Sequence, residues 1–383
     1  MLKKDNNKYV TLDRIKKEHA QYNWLIGQRS NGKSYACKLE MLKNYCQHGK
    51  QSAYLRRWRE DFKGKRGQVM FDDIVKSGII SKWTKGEWDN IYYWSGRWYL
   101  CRYDENNKCI KDERPFCYAF ALTEMEHDKS TSYPDITIVV FDEAISRDGY
   151  IEDEFVIFCN VLSTIIRQRN DVVVYMLGNT ISKFCPYFRE MGLTNVKNMK
   201  EGDLEVYSYG QSLLKVAVQF TDSVTKNGKS SDIYFAFNNP KLEMITGQGN
   251  NAWELEIYPH CPVKFNKSDI VFTYFIMFND EVLQCEIVQK ERMLFTFIHR
   301  KTTPLRNANK DLIYTIEYHA ENNYRRNILN ACDDIAKKVK WFYQIQKVFY
   351  QDNEVGDIIS NYLKWCRQNE EVTYATSFFK CFT

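Results

Sequence analysis

The stretch "NWLIGQRSNGKSYACK", residues 23 to 38, limits what this chain can fold into more than any other. Three apolar residues, Trp24 to Ile26, lead into a loop bounded by Gly27 and Gly32. Lys33, Ser34 and a run with apolar residues at helical spacing (Tyr35, Leu39, Leu42, Tyr45, Cys46) come next. A short buried strand, a glycine-bounded loop and a helix start form the setting in which G-x-x-x-x-G-K-[ST] wraps a phosphate chain. The glycines permit the tight turn, and the backbone N–H groups of Gly27, Gln28, Arg29, Ser30, Asn31, Gly32, Lys33, Ser34 and Tyr35 face the anion. Lys33 would reach the β and γ phosphates of ATP, and the Ser34 hydroxyl would ligate Mg²⁺. The helix start adds its own positive potential. The pattern alone would arise by accident in a chain of this composition on the order of one percent of the time. The strand and helix around it lower that figure further.

A phosphate loop needs a carboxylate at the end of a neighbouring buried strand, and "DITIVVFDEAI" supplies one. Ile138 to Phe141 run without interruption into Asp142 and Glu143. Asp142 is the expected Mg²⁺ partner, and Glu143 the group that polarises an attacking water. An acidic residue directly after the metal-binding aspartate favours ATP hydrolysis over a GTP switch. A third strand, "DVVVYMLGNT", places Asn179 and Thr180 where an amide or hydroxyl can sense the γ phosphate; a plain turn is the alternative. "SAYLRRW", residues 52 to 58, reads as a strand between the first two. That makes the fold an additional-strand, catalytic-glutamate α/β P-loop ATPase with a mainly parallel sheet. Arg56 and Arg57 at that strand's end either couple nucleotide to Glu143 or neutralise a carboxylate beside the core. Residues 89 to 123 alternate as a β meander with a turn at Asp104 to Lys108 and are expected as antiparallel additions.

At 383 residues the chain exceeds one hydrophobic core. The expected division is an ATPase domain over 1–208, a small linker unit over 209–257 and an α+β domain over 258–383. The last reads as three antiparallel strands followed by helices, including 322–352 and 355–368. That order is compatible with an RNase H-like fold. Its first strand carries no acidic residue, and Asp269 and Asp280 flank it, so a degenerate, non-cleaving domain is expected. The twelve cysteines form no C-x-x-C pair and the opening residues are polar, which points to free thiols in a reduced cytoplasm rather than a disulfide or zinc framework. The nine-residue run at 270–278 is too short to span a bilayer. A net charge of +5 permits an anionic partner without demanding one. Lys63, Lys65 and Arg66, expected on a loop, are the first candidates for DNA contact, and Arg325, Arg326, Lys337, Lys338 and Lys340, expected on helices, are further ones.

The ordered strings "WLIGQRSNGKSYACK", "YLRRW", "DKSTSYPDITIVVFDE", "IIRQRN" and "LGNTISKFCPYF" resemble those of the genome-encapsidation ATPases of small podophages, the phi29-type DNA-packaging motors, akin to terminase large subunits. The resemblance is close over residues 20 to 190 and loose beyond. It implies an ATP-driven homomeric ring, a pentamer, that moves double-stranded DNA through a portal into a preformed procapsid. It also implies action in the infected bacterial cell and absence from the mature virion. Some relatives use a packaging RNA as adaptor. By the same resemblance Arg167 is the finger offered to a neighbour's ATP and Lys129 a second basic residue offered in trans; the alternative for Arg167 is a solvated helix end. Two other functions compete with the motor: a nucleotide-gated nucleic-acid-binding switch, and a terminase-like ATPase with an active nuclease.

Overall fold

The computed structural model describes residues 9–222 and 258–369, apart from 30, 125–131, 147–148, 152, 181–182, 184, 211–213 and 331–332. The chain divides into two compact units, Met1–Arg147 with Ile151–Glu254, and Asp148–Tyr150 with Leu255–Thr383.

In the first unit a short helix α1 (Asp13–Lys16) precedes β1 (Tyr22–Gly27) and α2 (Lys33–His48). β2 (Gln51–Arg56) and three one-turn helices follow, α3 (Lys65–Val69), α4 (Asp72–Lys76) and α5 (Ile79–Trp83). Next come β3 (Asn90–Trp94), β4 (Arg97–Tyr103), β5 (Cys109–Lys111), β6 (Cys117–Ala121), β7 (Ile136–Phe141), α6 (Glu154–Ile166), β8 (Val173–Asn179), α7 (Pro186–Glu190), β9 (Leu204–Ser208) and β10 (Lys215–Phe220). They build one ten-stranded sheet in the order β3-β4-β6-β2-β7-β8-β1-β10-β9, with β5 on β4. The run β6-β2-β7-β8-β1-β10 is parallel throughout.

Parallel strands covered on both faces should be apolar without interruption, and β1, β2, β7 and β8 are buried along nearly their whole length. On one face Leu25, Tyr54, Val140 and Leu177 pack with Cys37, Met41 and Leu42 of α2. Here Phe71, Trp98, Tyr54 and Phe116 meet edge to face at 5.1–6.3 Å. On the other face Trp24 and Phe141 pack against Tyr187, Phe188 and Phe158 of α7 and α6. The sheet is thus wound on both sides; β8 stands between β1 and β7, and β2 between β6 and β7.

Two expectations change. The meander β3-β4-β5 is antiparallel and turns at Asp104 to Lys108, but β6 joins β2 in parallel and so belongs to the central sheet. Its side chains are buried on the core side, which an edge addition would not require. The linker expected from 209 loses its first part, because β10 pairs in parallel with β1 and antiparallel with β9. Val216, Ala217 and Val218 are core residues, and burial beside the loop strand outweighs the turn-forming residues around Gly210. The remainder of that stretch, 223–257, lies outside the described residues.

The second unit has a six-stranded sheet. β11 (Ile270–Phe278), β12 (Glu281–Lys290) and β13 (Met293–Arg300) form an antiparallel meander, as expected. β14 (Ile313–Thr315) lies parallel to β11, and β15 (Tyr324–Arg325) parallel to β14. After α8 (Asp334–Gln344), β16 (Val348–Tyr350) lies parallel to β13, and α9 (Asn353–Gln368) closes the unit. The helix expected across 322–352 is therefore a strand, a shorter helix and a strand. Asp333 caps α8 by accepting from Ala336 N at 2.8 Å, and Gln346 at φ 57° lies just past its end. Arg325 sits on β15 and pairs with Asp333 instead of lying on a helix face.

Candidate active site

The phosphate loop follows from local backbone demands. Gly32 adopts φ 92°, a left-handed conformation, at the position that starts α2. Gly49 closes the helix at φ 63°, donating its N–H to Tyr45 O. A side chain at Gly27 would bring its Cβ to 2.0 Å from Thr221 Oγ1 and 2.9 Å from Asn31 Nδ2, so only glycine fits where β1 ends.

Lys33 is almost fully buried. Its ammonium donates to Gly27 O (3.0 Å), Gln28 O (2.7 Å), Asn31 Oδ1 (3.1 Å) and Asn179 Oδ1 (3.2 Å). Burial lowers its pKa to about 8, partly offset by the nearby carboxylate of Asp142. Ser34 Oγ, in the first turn of α2, lies 3.2 Å from Asp142 Oδ1 at the end of β7. Tyr54 OH donates to Asp142 Oδ2 at 2.5 Å. Burial, then the charge of Asp142, pushes that phenol well above its usual range.

Arg56 and Arg57 point to different tasks although adjacent. Arg56 approaches Asp142 Oδ2 at 3.4 Å and Glu143 Oε2 at 2.7 Å. Burial, the largest single effect, acts to lower its pKa, but Asp142, Tyr54 and Glu143 together outweigh it and raise the pKa, so the guanidinium stays charged. Arg57 turns into the core, donating to Glu154 Oε2 (2.7 Å) and Oε1 (2.8 Å) and to the carbonyls of Glu143 and Ala144 (3.2 Å each). Tyr187 OH and Ile151 N complete the set around Glu154 at 2.8 Å each. Glu143 itself is left-handed at φ 61°, with its side chain largely exposed. Arg57 thus holds the backbone of Glu143, while Arg56 holds its carboxylate.

A cavity of about 260 Å³ is lined by Arg29, Asn31, Gly32, Lys33, Ser34, Tyr35, Arg56, Asp142, Glu143, Leu177, Gly178 and Asn179. The structure therefore brings together most of the loop residues, both acidic residues, Arg56 and Asn179. Thr180 is buried behind the loop with its N–H on Gly27 O at 3.3 Å, so Asn179 rather than Thr180 faces the cavity. Ser34, in the first turn of α2, and Asp142, just past β7, are hard oxygen donors 3.2 Å apart, which suits Mg²⁺, a cation that takes few protein ligands and keeps its waters and phosphate oxygens.

Arg167 ends α6, exposed and at φ 54°, and does not line this cavity. Ser30 and Lys129 lie outside the described residues. Lys63 lies in the exposed bend before α3, as expected, paired with Glu60 at 2.9 Å, whereas Lys65 and Arg66 begin α3 and are not on a loop. Gly64 permits that turn at φ 54°. Sequence reasoning missed Tyr54, Glu154, Tyr187 and Thr221. Tyr54 lay in a recognised strand, but no local pattern marks a strand residue as the partner of a carboxylate 88 positions away.

In the second unit Asp269 accepts from Asn266 N (2.8 Å) and Lys290 Nζ (3.0 Å), as part of a capping box. Among the described residues no group of three or more His, Cys, Asp or Glu could hold a metal ion. No helix among them is long and apolar enough to cross a membrane.

Residues 105–228, which contain Asp142, Glu143, Arg167 and Asn179, match the model of the family described as Podovirus DNA encapsidation protein (Gp16). The DNA packaging protein of Bacillus phage B103 is 34% identical over 174 residues, covering 45% of this chain and 48% of that one. The DNA packaging protein of Bacillus phage phi29 is 28% identical over 185 residues, 47% of each. The chain thus spans about half the length of these relatives. A chain of the bacteriophage phi29 viral genome packaging motor assembly shares the fold over 94% of this chain and 98% of its own, at TM-score 0.55 and 18% identity. The resemblance read from the motifs holds: this chain is similar to the DNA packaging proteins of phi29-like Bacillus phages.

Proposed function

We propose that this protein is an ATPase that drives double-stranded viral DNA through a portal into a preformed procapsid, hydrolysing ATP at the subunit interfaces of a homomeric ring. The observation that carries this reading is the convergence of Lys33, Ser34, Asp142 and Glu143 on one cavity at the ends of two parallel strands. Lys33 leaves its carbonyl cage to meet the β and γ phosphates, exchanging neutral acceptors for charged ones. Ser34 and Asp142 would hold Mg²⁺, which would supply neutralisation of phosphate charge when bound. Glu143 orients the attacking water and takes its proton once Arg56 releases the carboxylate. Asn179, already on Lys33 Nζ, reports the state of the γ phosphate. Arg167 serves a neighbour's site; its exposure at the end of α6, outside its own subunit's cavity, supports that role. Lys129 is assigned a similar role from the motif alone.

For the second unit we propose a degenerate RNase H-like fold. An antiparallel meander whose first strand is joined by two further parallel strands supports it. The unit's role is then in grip and assembly rather than cleavage. A pentameric ring, contact with a portal and use of a packaging RNA belong to the same proposal. Sequence-neutral phosphate contacts suit a motor that must move any genome, with Lys65 and Arg66 the first residues to test.

The test is ATP turnover with and without double-stranded DNA, repeated on rings mixed from Glu143→Gln and Arg167→Ala subunits. Stimulation by DNA, with partial recovery in the mixture, supports an interface-shared motor. The absence of both would remove the ring-motor reading. Turnover that survives Glu143→Gln would point to a nucleotide-gated switch.

A further inference from the structure

Below the phosphate loop runs a polar chain that none of the motifs uses. Lys33 Nζ donates to Asn31 Oδ1 at 3.1 Å, Asn31 Nδ2 donates to Thr221 Oγ1 at 2.6 Å, and Thr221 Oγ1 donates to Ile26 O at 2.9 Å. Asn31 and Thr221 are both buried, at 1% and 2% exposure, so water does not substitute for a missing partner. Each link has one direction only. An ammonium can only donate, so the oxygen of the Asn31 amide must face it and the NH₂ must face away. That NH₂ needs an acceptor, and a hydroxyl can both accept it and donate onward to a strand carbonyl.

Thr221 reaches this position because it directly follows β10, whose Phe220 pairs with Ile26 of β1. Its own N–H also meets Ile26 O, at 2.7 Å. Gly27 must be glycine for the hydroxyl to arrive, since a Cβ there would stand 2.0 Å from it. The loop's first glycine therefore serves this contact as well as the turn.

We infer that Thr221 is a positioning residue for nucleotide binding: its hydroxyl fixes the orientation of the Asn31 amide, which in turn holds Lys33 and the loop backbone in the phosphate-receiving geometry. This inference rests on the ATP reading above. Without the hydroxyl the amide loses its buried acceptor, rotates or draws the loop out of place, and the loop N–H groups no longer converge. The expected consequence is weaker binding of ATP by the folded protein, which a purely structural contact would not produce.

The experiment compares wild-type protein with Thr221→Val, which keeps the shape and removes the hydroxyl, and Thr221→Ser, which keeps the hydroxyl. A fluorescent ATP analogue gives Kd. Thr221→Val should raise Kd about tenfold, the cost of one unsatisfied buried donor. Thr221→Ser should stay within about twofold of wild type in Kd. Asn31→Ala combined with Thr221→Val should lose no more affinity than Asn31→Ala alone. If Thr221→Val does not fold, Thr221→Ala carries the same prediction. A folded Thr221→Val protein with wild-type Kd overturns the inference and leaves the ATP reading standing. Wild-type protein that fails to bind the analogue at all overturns both.

Discussion

Arg57→Met should be among the most damaging single substitutions in the first unit, and its cost can be worked out from the contacts. The Arg57 and Glu154 side chains are 5% and 1% exposed and share two charge-assisted bonds of 2.7 and 2.8 Å. Methionine fills most of the volume but leaves the Glu154 carboxylate buried with Tyr187 OH and Ile151 N as its remaining partners. Removing one member of a buried pair costs about 3–5 kcal/mol, because the remaining charge stays desolvated. In a unit of this size that corresponds to a fall in Tm of roughly 6–20 °C, read by circular dichroism at pH 7. The carbonyls of Glu143 and Ala144 lose their donors as well, so the left-handed Glu143 is freed. Well below the new Tm, turnover should fall while the Kd for ATP holds, since no phosphate ligand has changed. The double variant Arg57→Met with Glu154→Leu removes both charges and should recover at least half of the lost stability. A cost below about 1 kcal/mol, or a double variant no better than the sum of the singles, would refute the claim that a desolvated ion pair holds the Glu143 backbone.

Glu143→Gln should bind ATP as wild type does and lower kcat by about 10²–10⁴-fold, as measured by phosphate release. The affinity for ATP should weaken as pH rises through about 8, the pKa of Lys33 in the nucleotide-free protein. Above that the free ammonium is increasingly lost before binding, and Kd grows about tenfold per pH unit. The same depressed pKa makes the nucleotide-free protein gain stability as pH rises from 8 towards the unfolded value of 10.5, because the unfolded chain then binds more protons. A Kd flat between pH 7 and 9.5 would contradict the buried-ammonium account. Gly178→Ala would set a Cβ 2.4 Å from Ile145 Cδ1, beside Asn179 and the Asp142–Glu143 loop. It should cost about 1–3 kcal/mol in thermal unfolding and slow turnover. Plasmid DNA incubated with Mn²⁺ should remain uncut, and cutting that Asp280→Ala abolishes would contradict the degenerate reading of the second unit.

The elements that were legible share one property: their demands on the chain are local. Gly32 must be left-handed, Lys33 must follow it, and a strand buried on both faces must be apolar up to its acidic end, so the glycine loop and the acidic pair that line the cavity could be read directly. The second unit was less legible. The run from 322 to 352 has helical periodicity throughout, yet only its middle is helix. Tyr324 and Arg325 are instead taken up by the open edge of β14, a partner that periodicity does not register.

The chain read residue by residue is enough for the phosphate loop, the acidic pair after β7 and the parallel order of chemistry around them, because each is written in fewer than a dozen consecutive residues. Which of two adjacent arginines faces the cavity was settled by the packed fold, since side chains alternate about an extended backbone and the position of Glu154 fixes where the second one goes. The fold likewise sets Tyr54 against Asp142 and Thr221 against Ile26 beside the loop, contacts spanning 88 and 195 positions. Such pairings depend on which strands become neighbours in the sheet, and strand order is set by the burial of the whole unit rather than by any segment of it.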